Sequence, residues 1–400
     1  MNRRRVLYLH QHFSTPAGST ATRAHAQALA LARAGHAVTL ACGQWHGAVT
    51  GLGGPFRRGA RRGRVDGFEV VEFAIPCGNA MGLAARTLAF GRFAARASVL
   101  ALRERWDLVV ASSTPLTVAL PALLARRWRG TPFLFEIRDP WPELPAALGL
   151  RAPPLLGAMR ALSRAACGRA ARVVALSDGM AELARSQGAR EVQVIPQGAD
   201  LGLFGPQVAP WRPPDAAGHE MLAVYAGTHG AANGLDALLD AASELRGAPV
   251  RIVLAGEGAR KPALMARAVA EGLTNVTFLD PLPKPRLAAL LAGGQAGLLC
   301  LAPVPEFAEW TAPNKLVDLL AAGLPVVSNL AGSSAAMLEE AAAGLAVADG
   351  AGFAAALRML AADPARRAAM GTAARALALR RFDRRVLAAR FVAACEAAVA

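Results

Sequence analysis

Short runs rich in Val, Ile, Leu and Phe alternate with helix-patterned runs along the whole chain, and this alternation restricts the fold more than any one residue does. In the first half the strand-patterned runs are residues 5–10, 37–41, 68–74, 107–112, 132–137, 172–177 and 191–195. In the second half they are 221–226, 250–255, 275–279, 296–301, 324–328 and 344–348. Helical patterns such as 23–34 and 235–245 fall between them. Strands separated by helices in this way imply βαβ units and parallel sheets. A Gly- and Pro-rich stretch, 198–218, has linker composition and divides the series in two. The expected fold is therefore α/β, with two Rossmann-like domains at 1–197 and 205–381 joined by a hinge. The last helical segment, 380–400, is expected to return to the first domain from residue 382 onward. Ligands are expected in a cleft at the carboxyl ends of the strands, where open α/β sheets bind them.

With 400 residues, 54% of them apolar, the chain can fill two cores. No run of 18 apolar residues is free of charge, so no transmembrane helix is expected. The opening MNRRRVLYLHQHF turns polar too soon for a signal peptide and reads as a first strand. Five scattered cysteines, with no CxxC and no zinc-like His spacing, point to reduced thiols in a cytosol and to no metal site. Charge is unevenly spread. Residues 1–197 hold 26 Arg/Lys against 11 Asp/Glu, a balance of +15, while residues 198–400 hold 18 of each. A half this basic faces a polyanion or an anionic membrane surface, or is a solvated arginine-rich face.

Three stretches of the second half end a strand and open a helix: Ala226-Gly-Thr-His-Gly230 with Asn233-Gly234 after it, Ala255-Gly-Glu-Gly-Ala-Arg-Lys261, and the segment around Pro313-Asn314-Lys315 with Asp318 one turn on. A helix N-terminus favours anions through its free N–H groups and dipole. A diphosphate would use close backbone approach at Gly227 and Gly230, charge from Lys261 and Lys315, and the helix start at Asn314. Gly256-Glu257-Gly258 is neither a dinucleotide fingerprint nor a P-loop. Each stretch alone reads as an ordinary turn; their recurrence at one topological position is what points to a site.

These residues resemble a known family. YAGTHGAANGL, LAGEGARK, NVTFLD and PNKLVDLLAAGLPVV look like the donor half of the retaining glycosyltransferases of family 4, which have the GT-B fold of two Rossmann-like domains whose parallel sheets face across a cleft. AGSTATRAHAQALALARAGHAVTLA looks like the family's opening loop and helix, FEIRDPWPELPAALG like its bacterial surface-polysaccharide branch, and VIPQGADLGLF like the stretch before its linker. The resemblance implies transfer of a sugar, an N-acetylated hexosamine or deoxyhexosamine, from a nucleotide diphosphate donor to a lipid-linked or glycan acceptor. It further implies a UDP-sugar as donor, no metal, and retention at the anomeric carbon. Asp318 matches the second acid of the family's E-x7-E motif, which holds the ribose; the first position falls on Trp310, leaving Glu306 or Glu309 for the sugar. The family's phosphate-binding Arg and Lys fall near Thr228 and Asn233, so Lys261 and Lys315 must carry more of that charge, with His229 as a helper and Glu257 in the same turn.

In the first half, Gly18-Ser19-Thr20 before the helix holding Arg23 suits a phosphate or sugar at the backbone, or is a turn with Ser19 or Thr20 as N-cap. Asp139 stands where many relatives carry a His beside the transferred sugar. It would assist catalysis there along with Lys315, or Arg138 and Asp139 pair structurally with Glu136 or Glu143. Arg92, Arg96 and Arg103 share a helical stripe and Arg126, Arg127 and Arg129 end another, an arrangement suited to an anionic bilayer. The protein is thus expected in the cytoplasm, peripherally on the inner membrane. Two other readings are an epimerase of GT-B-like fold, for which convergent carboxylates and His are few, and a non-enzymatic polyanion binder. Nucleic acid is not expected as a partner, because aromatics make up only 6% of the chain.

Overall fold

Every residue of the first strand beyond Arg5 is buried, and its side chains divide alternately between two cores. Leu7 and Leu9 enter one cluster, and Val6 and Tyr8 the other. That is the period-2 geometry of a strand covered on both faces, as parallel sheets require. The computed structural model describes residues 3–18, 22–78, 81–310 and 314–399, the side chain of Glu309 excepted. It comprises two units: Met1–Gln197 with Trp310–Ala312 and Arg385–Ala400, and Gly198–Glu309 with Pro313–Arg384.

The first unit is built on β1 (Arg5–Leu9), β2 (Ala37–Trp45), β3 (Ala60–Val65), β4 (Phe68–Cys77), β5 (Leu108–Ser112), β6 (Phe133–Ile137), β7 (Arg172–Ala175) and β8 (Val192–Val194). Their order is β3-β4-β2-β1-β5-β6-β7-β8. Only the β3–β4 pair is antiparallel among the strand pairs described. Alanine and Phe positions of the helix Leu83–Arg103, with the helices Ala119–Arg129, Pro153–Arg169 and Asp178–Ser186, cover one face. The helix Arg23–Arg33 covers the other, joined by Leu387, Phe391 and Cys395 of the last helix, Arg384–Ala397. That helix starts at Arg384, not at residue 380: Arg380 and Arg381 end the preceding helix, Pro364–Arg381, and the chain breaks helix at Phe382 and Asp383.

The second unit holds β9 (Met221–Ala226), β10 (Val250–Ala255), β11 (Val276–Leu279), β12 (Ala296–Leu299), β13 (Val326–Ser328) and β14 (Gly344–Ala346), all parallel, in the order β11-β10-β9-β12-β13-β14. Its strands are near-continuous apolar runs; β9 reads MLAVYA. In both sheets the winding direction reverses beside one strand. β1 has β2 on one side and β5 on the other, and β9 has β10 and β12. The residues just past these two strands therefore sit at topological switch points.

The stretch 198–218 is more firmly held than linker composition suggests. Arg375 donates to the carbonyls of Phe204 (2.8 Å) and Leu201 (3.2 Å). The guanidinium of Arg286 lies 3.7 Å from the Trp211 ring centroid, and Trp211 N–H donates to Ala289 O at 2.8 Å. The stretch is thereby stitched onto the second unit.

Candidate functional site

The second unit gathers its polar residues around His229, in the turn after β9. That turn and the one after β10 are laced by backbone bonds: Gly227 N–H to Ala255 O, His229 N–H to Glu257 O and Arg260 N–H to His229 O, each 2.9 Å. Glycine makes the lacing possible. A Cβ on Gly256, whose φ is 150°, would collide with Gly227 O, and one on Gly227 would collide with the Lys315 side chain. Gly230 is under no such constraint; a Cβ there would meet only Thr228 and Asn233 side chains at 3.5 and 3.6 Å.

Lys315, in the helix Asn314–Ala321, reaches back to the end of β9. Its Nζ donates to Tyr225 Oη at 2.6 Å and Asn233 Oδ1 at 2.5 Å, and lies 4.4 Å from the Tyr225 ring centroid. Among the described residues it has no ion-pair partner. Burial therefore dominates, only partly offset by the nearby Cys300, and lowers its pKa to about 7. His229 is fully buried with no partner for either ring nitrogen among the described residues. Burial, then the charges of Lys261 and Lys315 against the opposing Glu257, brings it to about 4, so it is neutral. Two ring nitrogens without hydrogen bonds and a cation without an ion pair, among the described residues, thus lie together at the end of β9.

Two expected ligand groups are already engaged. Lys261 is buried and bonds Asp280 (2.7 Å), Leu279 O (3.2 Å) and Glu257 (3.4 Å). Its charge is thus matched, and it holds Asp280 below the usual carboxylate value. Asp318 is buried with Oδ2 2.7 Å from Lys284 Nζ. Asn314 is exposed at the start of its helix. Glu306 is half-buried with no ion-pair partner among the described residues; the side chain of Glu309, like Ser19, Thr20 and Pro313, lies outside the described structure. The partners Tyr225, Lys284 and Asp280 escaped the sequence reading. A signal for Lys284 existed: the chain has only three lysines among its 44 basic residues, at 261, 284 and 315.

In the first unit, Arg23 does not present its guanidinium to a ligand. It pairs with Glu136 at 2.9 Å and donates to the carbonyls of Ile195 (2.9 Å) and Pro196 (2.5 Å). This buried pair ties the start of the Arg23–Arg33 helix to the centre of the sheet. Burial pushes the Glu136 carboxyl up, but Arg23 and Arg138, with hydrogen bonds from Gln27 and Ser112, outweigh it and hold the carboxyl below its ordinary value. Gly18 is buried because Ser14 and the backbone of Gly47 and Val49 leave no room for a side chain. Asp139 accepts from Thr114 Oγ1, at the ends of β5 and β6. Neither Glu136 nor Glu143 pairs with Arg138; Glu143 pairs with Arg160 at 3.6 Å, and Arg138 donates to His10 Nε2 at 2.7 Å. Arg96 is likewise not free on its stripe, donating to Arg58 O at 2.7 Å. Among the described residues no group of three or more His, Cys, Asp or Glu could hold a metal, and no helix is long and apolar enough to cross a membrane.

Solved structures with this arrangement are numerous. Sucrose-phosphate synthase from Thermosynechococcus elongatus superposes with a TM-score of 0.75 at 17% identity, covering 97% of each chain. HepE from Anabaena, solved in complex with UDP-glucose, gives 0.64 at 18% identity over 97% of this chain and 98% of that one. WaaG, a glycosyltransferase involved in lipopolysaccharide biosynthesis, gives 0.67 at 15% over 98% and 99%. No curated protein sequence matches significantly. Residues 18–198 match the model of the glycosyl transferase 4-like domain and residues 220–363 that of glycosyl transferases group 1, so the chain belongs to the glycosyltransferases of the GT-B type.

Proposed function

We propose that this glycosyltransferase moves a sugar, an N-acetylated hexosamine or a deoxyhexosamine, from a UDP-sugar to a lipid-linked or glycan acceptor of a surface polysaccharide, with retention and without a metal. The observation that carries the donor half is Lys315: a partly buried ammonium with no ion-pair partner among the described residues, beside the ring of His229, likewise unpartnered among them, and the glycine-built turns at the β9 switch point. A diphosphate supplies the missing negative charge, accepts from Lys315, and lies against backbone that no Cβ holds away. Stabilising the leaving diphosphate by a fixed cation in a dry site is how such a group lowers the barrier. Asp318, oriented through Oδ2 by Lys284, keeps Oδ1 for the ribose hydroxyls. Asp139 stabilises positive character at the anomeric carbon, and Glu306 or Glu309 contacts the sugar.

The acceptor is assigned to the basic first unit. On the Leu83–Arg103 helix the exposed Arg92 lies one turn from Leu88 (64% exposed) and the exposed Arg103 one turn from Val99 (47%), and Arg127 lies next to Trp128 (61%). Cations among exposed apolar side chains favour a peripheral seat on an anionic inner-membrane surface, at about 1 kcal/mol per cation. Both HepE, solved with UDP-glucose, and WaaG, involved in lipopolysaccharide biosynthesis, are in keeping with this reading. The test is a thermal-shift screen of nucleoside diphosphates and nucleotide sugars. Stabilisation by a uridine diphosphate compound, lost in Lys315→Ala, is the expected result; no response to any of them overturns the reading.

A further inference from the structure

The first unit carries a second polar cluster, which the donor site does not use. It lies at the other switch point, past the carboxyl end of β1. His10 Nδ1 is 3.1 Å from Ser112 O on β5, and its Nε2 receives Arg138 Nη1 from the end of β6 at 2.7 Å. The carbonyl fixes the tautomer: Nδ1 carries the proton, so Nε2 is a lone pair that can accept from Arg138. Burial, then Arg138, lowers His10 to about 3, so it stays neutral and positions the guanidinium without cancelling its charge. Glu136 is already paired with Arg23, and Asp139 is bonded to Thr114. Arg138 therefore enters no ion pair among the described residues.

Next to His10, Gln11 is fully buried, yet neither its Nε2 nor its Oε1 has a partner among the described residues. A buried amide left unsatisfied at both ends is destabilising by a few kcal/mol unless something bonds it. His12 Nε2 is also unpartnered, as is Arg86 Nε. His12 lies 3.9 Å from the Trp45 ring centroid and 6.2 Å from Phe90, and Arg86 sits 5.8 Å over Phe90. Burial first, then His10, Arg138 and Arg86, pushes His12 well below its ordinary value. The cluster thus combines two unpaired cations, an amide with donor and acceptor free, and an aromatic wall.

We propose that Gln11, His12, Arg86 and Arg138 form a subsite for an acceptor sugar that bears an oxyanion, either a carboxylate or a phosphate on the ring. The guanidinium groups take the oxyanion, Gln11 bonds ring hydroxyls in both directions, and Trp45 and Phe90 take the apolar face of the ring. This rests on the assignment of the acceptor to the first unit but adds its charge. Two sources share the chemistry: a uronic acid at the end of a glycan, and a sugar phosphate.

The experiment is a thermal-shift and titration series on the whole protein with glucuronic acid, glucose 1-phosphate, methyl glucoside and inorganic phosphate, repeated with UDP present. Saturable binding of glucuronic acid or of glucose 1-phosphate, at least tenfold tighter than methyl glucoside and lost in Arg138→Gln and Arg86→Gln, is expected. Whichever of the two binds identifies the source. Both variants should keep the UDP response of the parent protein, which also shows that they fold. Equal binding of methyl glucoside, equal binding of inorganic phosphate, or no binding of either anionic sugar overturns the subsite. If the variants lose UDP instead, the cluster belongs to the donor. A parent protein blind to UDP but binding the anionic sugar would sink the donor reading and leave this one standing.

Discussion

Arg23 is buried and Lys315 partly buried, and these two cations are provided for in opposite ways. Around Arg23 every charge and hydrogen bond closes within the chain: Glu136 neutralises it, two carbonyls accept from it, and Gln27 and Ser112 occupy the carboxylate's remaining capacity. Around Lys315 the described residues supply a phenol and an amide but no carboxylate. The first arrangement is complete as folded and holds a helix on a sheet. The second is incomplete, and what would complete it has the charge of a substrate. Burial of a cation is therefore a poor guide to function; whether its counterion belongs to the protein is the better one.

Breaking the closed network should have the largest effect. Glu136→Ala leaves Arg23 buried and uncompensated, and destabilises the first unit by about 3–5 kcal/mol. Chemical denaturation should show this as an early transition, with the UDP response of the remaining fold retained. Lys315→Met should do the reverse. Removing an anion-stabilising cation lowers kcat/KM about 10²–10³-fold. Yet a Lys held near 7 destabilises the empty fold, so the variant's melting temperature without ligand should rise. A fall in both rate and stability would make Lys315 a structural partner like Arg23.

A smaller effect sharpens the contrast by pH. Lys315 has a folded pKa of about 7 against 10.5 unfolded, so its protonation opposes folding fully below about 7, and that penalty is relieved as pH rises toward 10.5. Donor binding has the opposite sense, because a diphosphate stabilises the ammonium and raises its pKa. Calorimetric affinity for a nucleotide sugar should be level below pH ~7 and weaken by up to tenfold per unit above it, with proton uptake on binding. Affinity independent of pH between 6 and 9 would mean that Lys315 stays charged without a ligand.

The sequence made the two sheets legible, since buried strands such as β9 and β12 are unbroken apolar runs between turns. It hid β3, whose ARRGRV carries one large apolar residue and is a strand because β4 pairs with it from Arg64↔Glu69 to Ala60↔Phe73. At the proposed donor site the glycine turns after β9 and β10 and the placement of Lys315 at a helix start could be read from local pattern. The Lys284–Asp318 and Arg23–Glu136 pairs could not, because 34 and 113 residues separate the partners and only the fold brings them together. Nor could the linker reading anticipate Arg375, which clasps that stretch from a helix far along the chain.

The close approach of Gly256 to the Gly227 backbone, and of Gly227 to the Lys315 side chain, limits how this protein can diversify. Where backbone meets backbone, no substitution can be trialled in small steps, so the turns proposed to hold the diphosphate cannot be retuned from within. A change of sugar or base preference must be introduced through side chains at its margin. A mutational library that leaves these three positions fixed and randomises their neighbours should keep far more folded, donor-binding members than one that includes them.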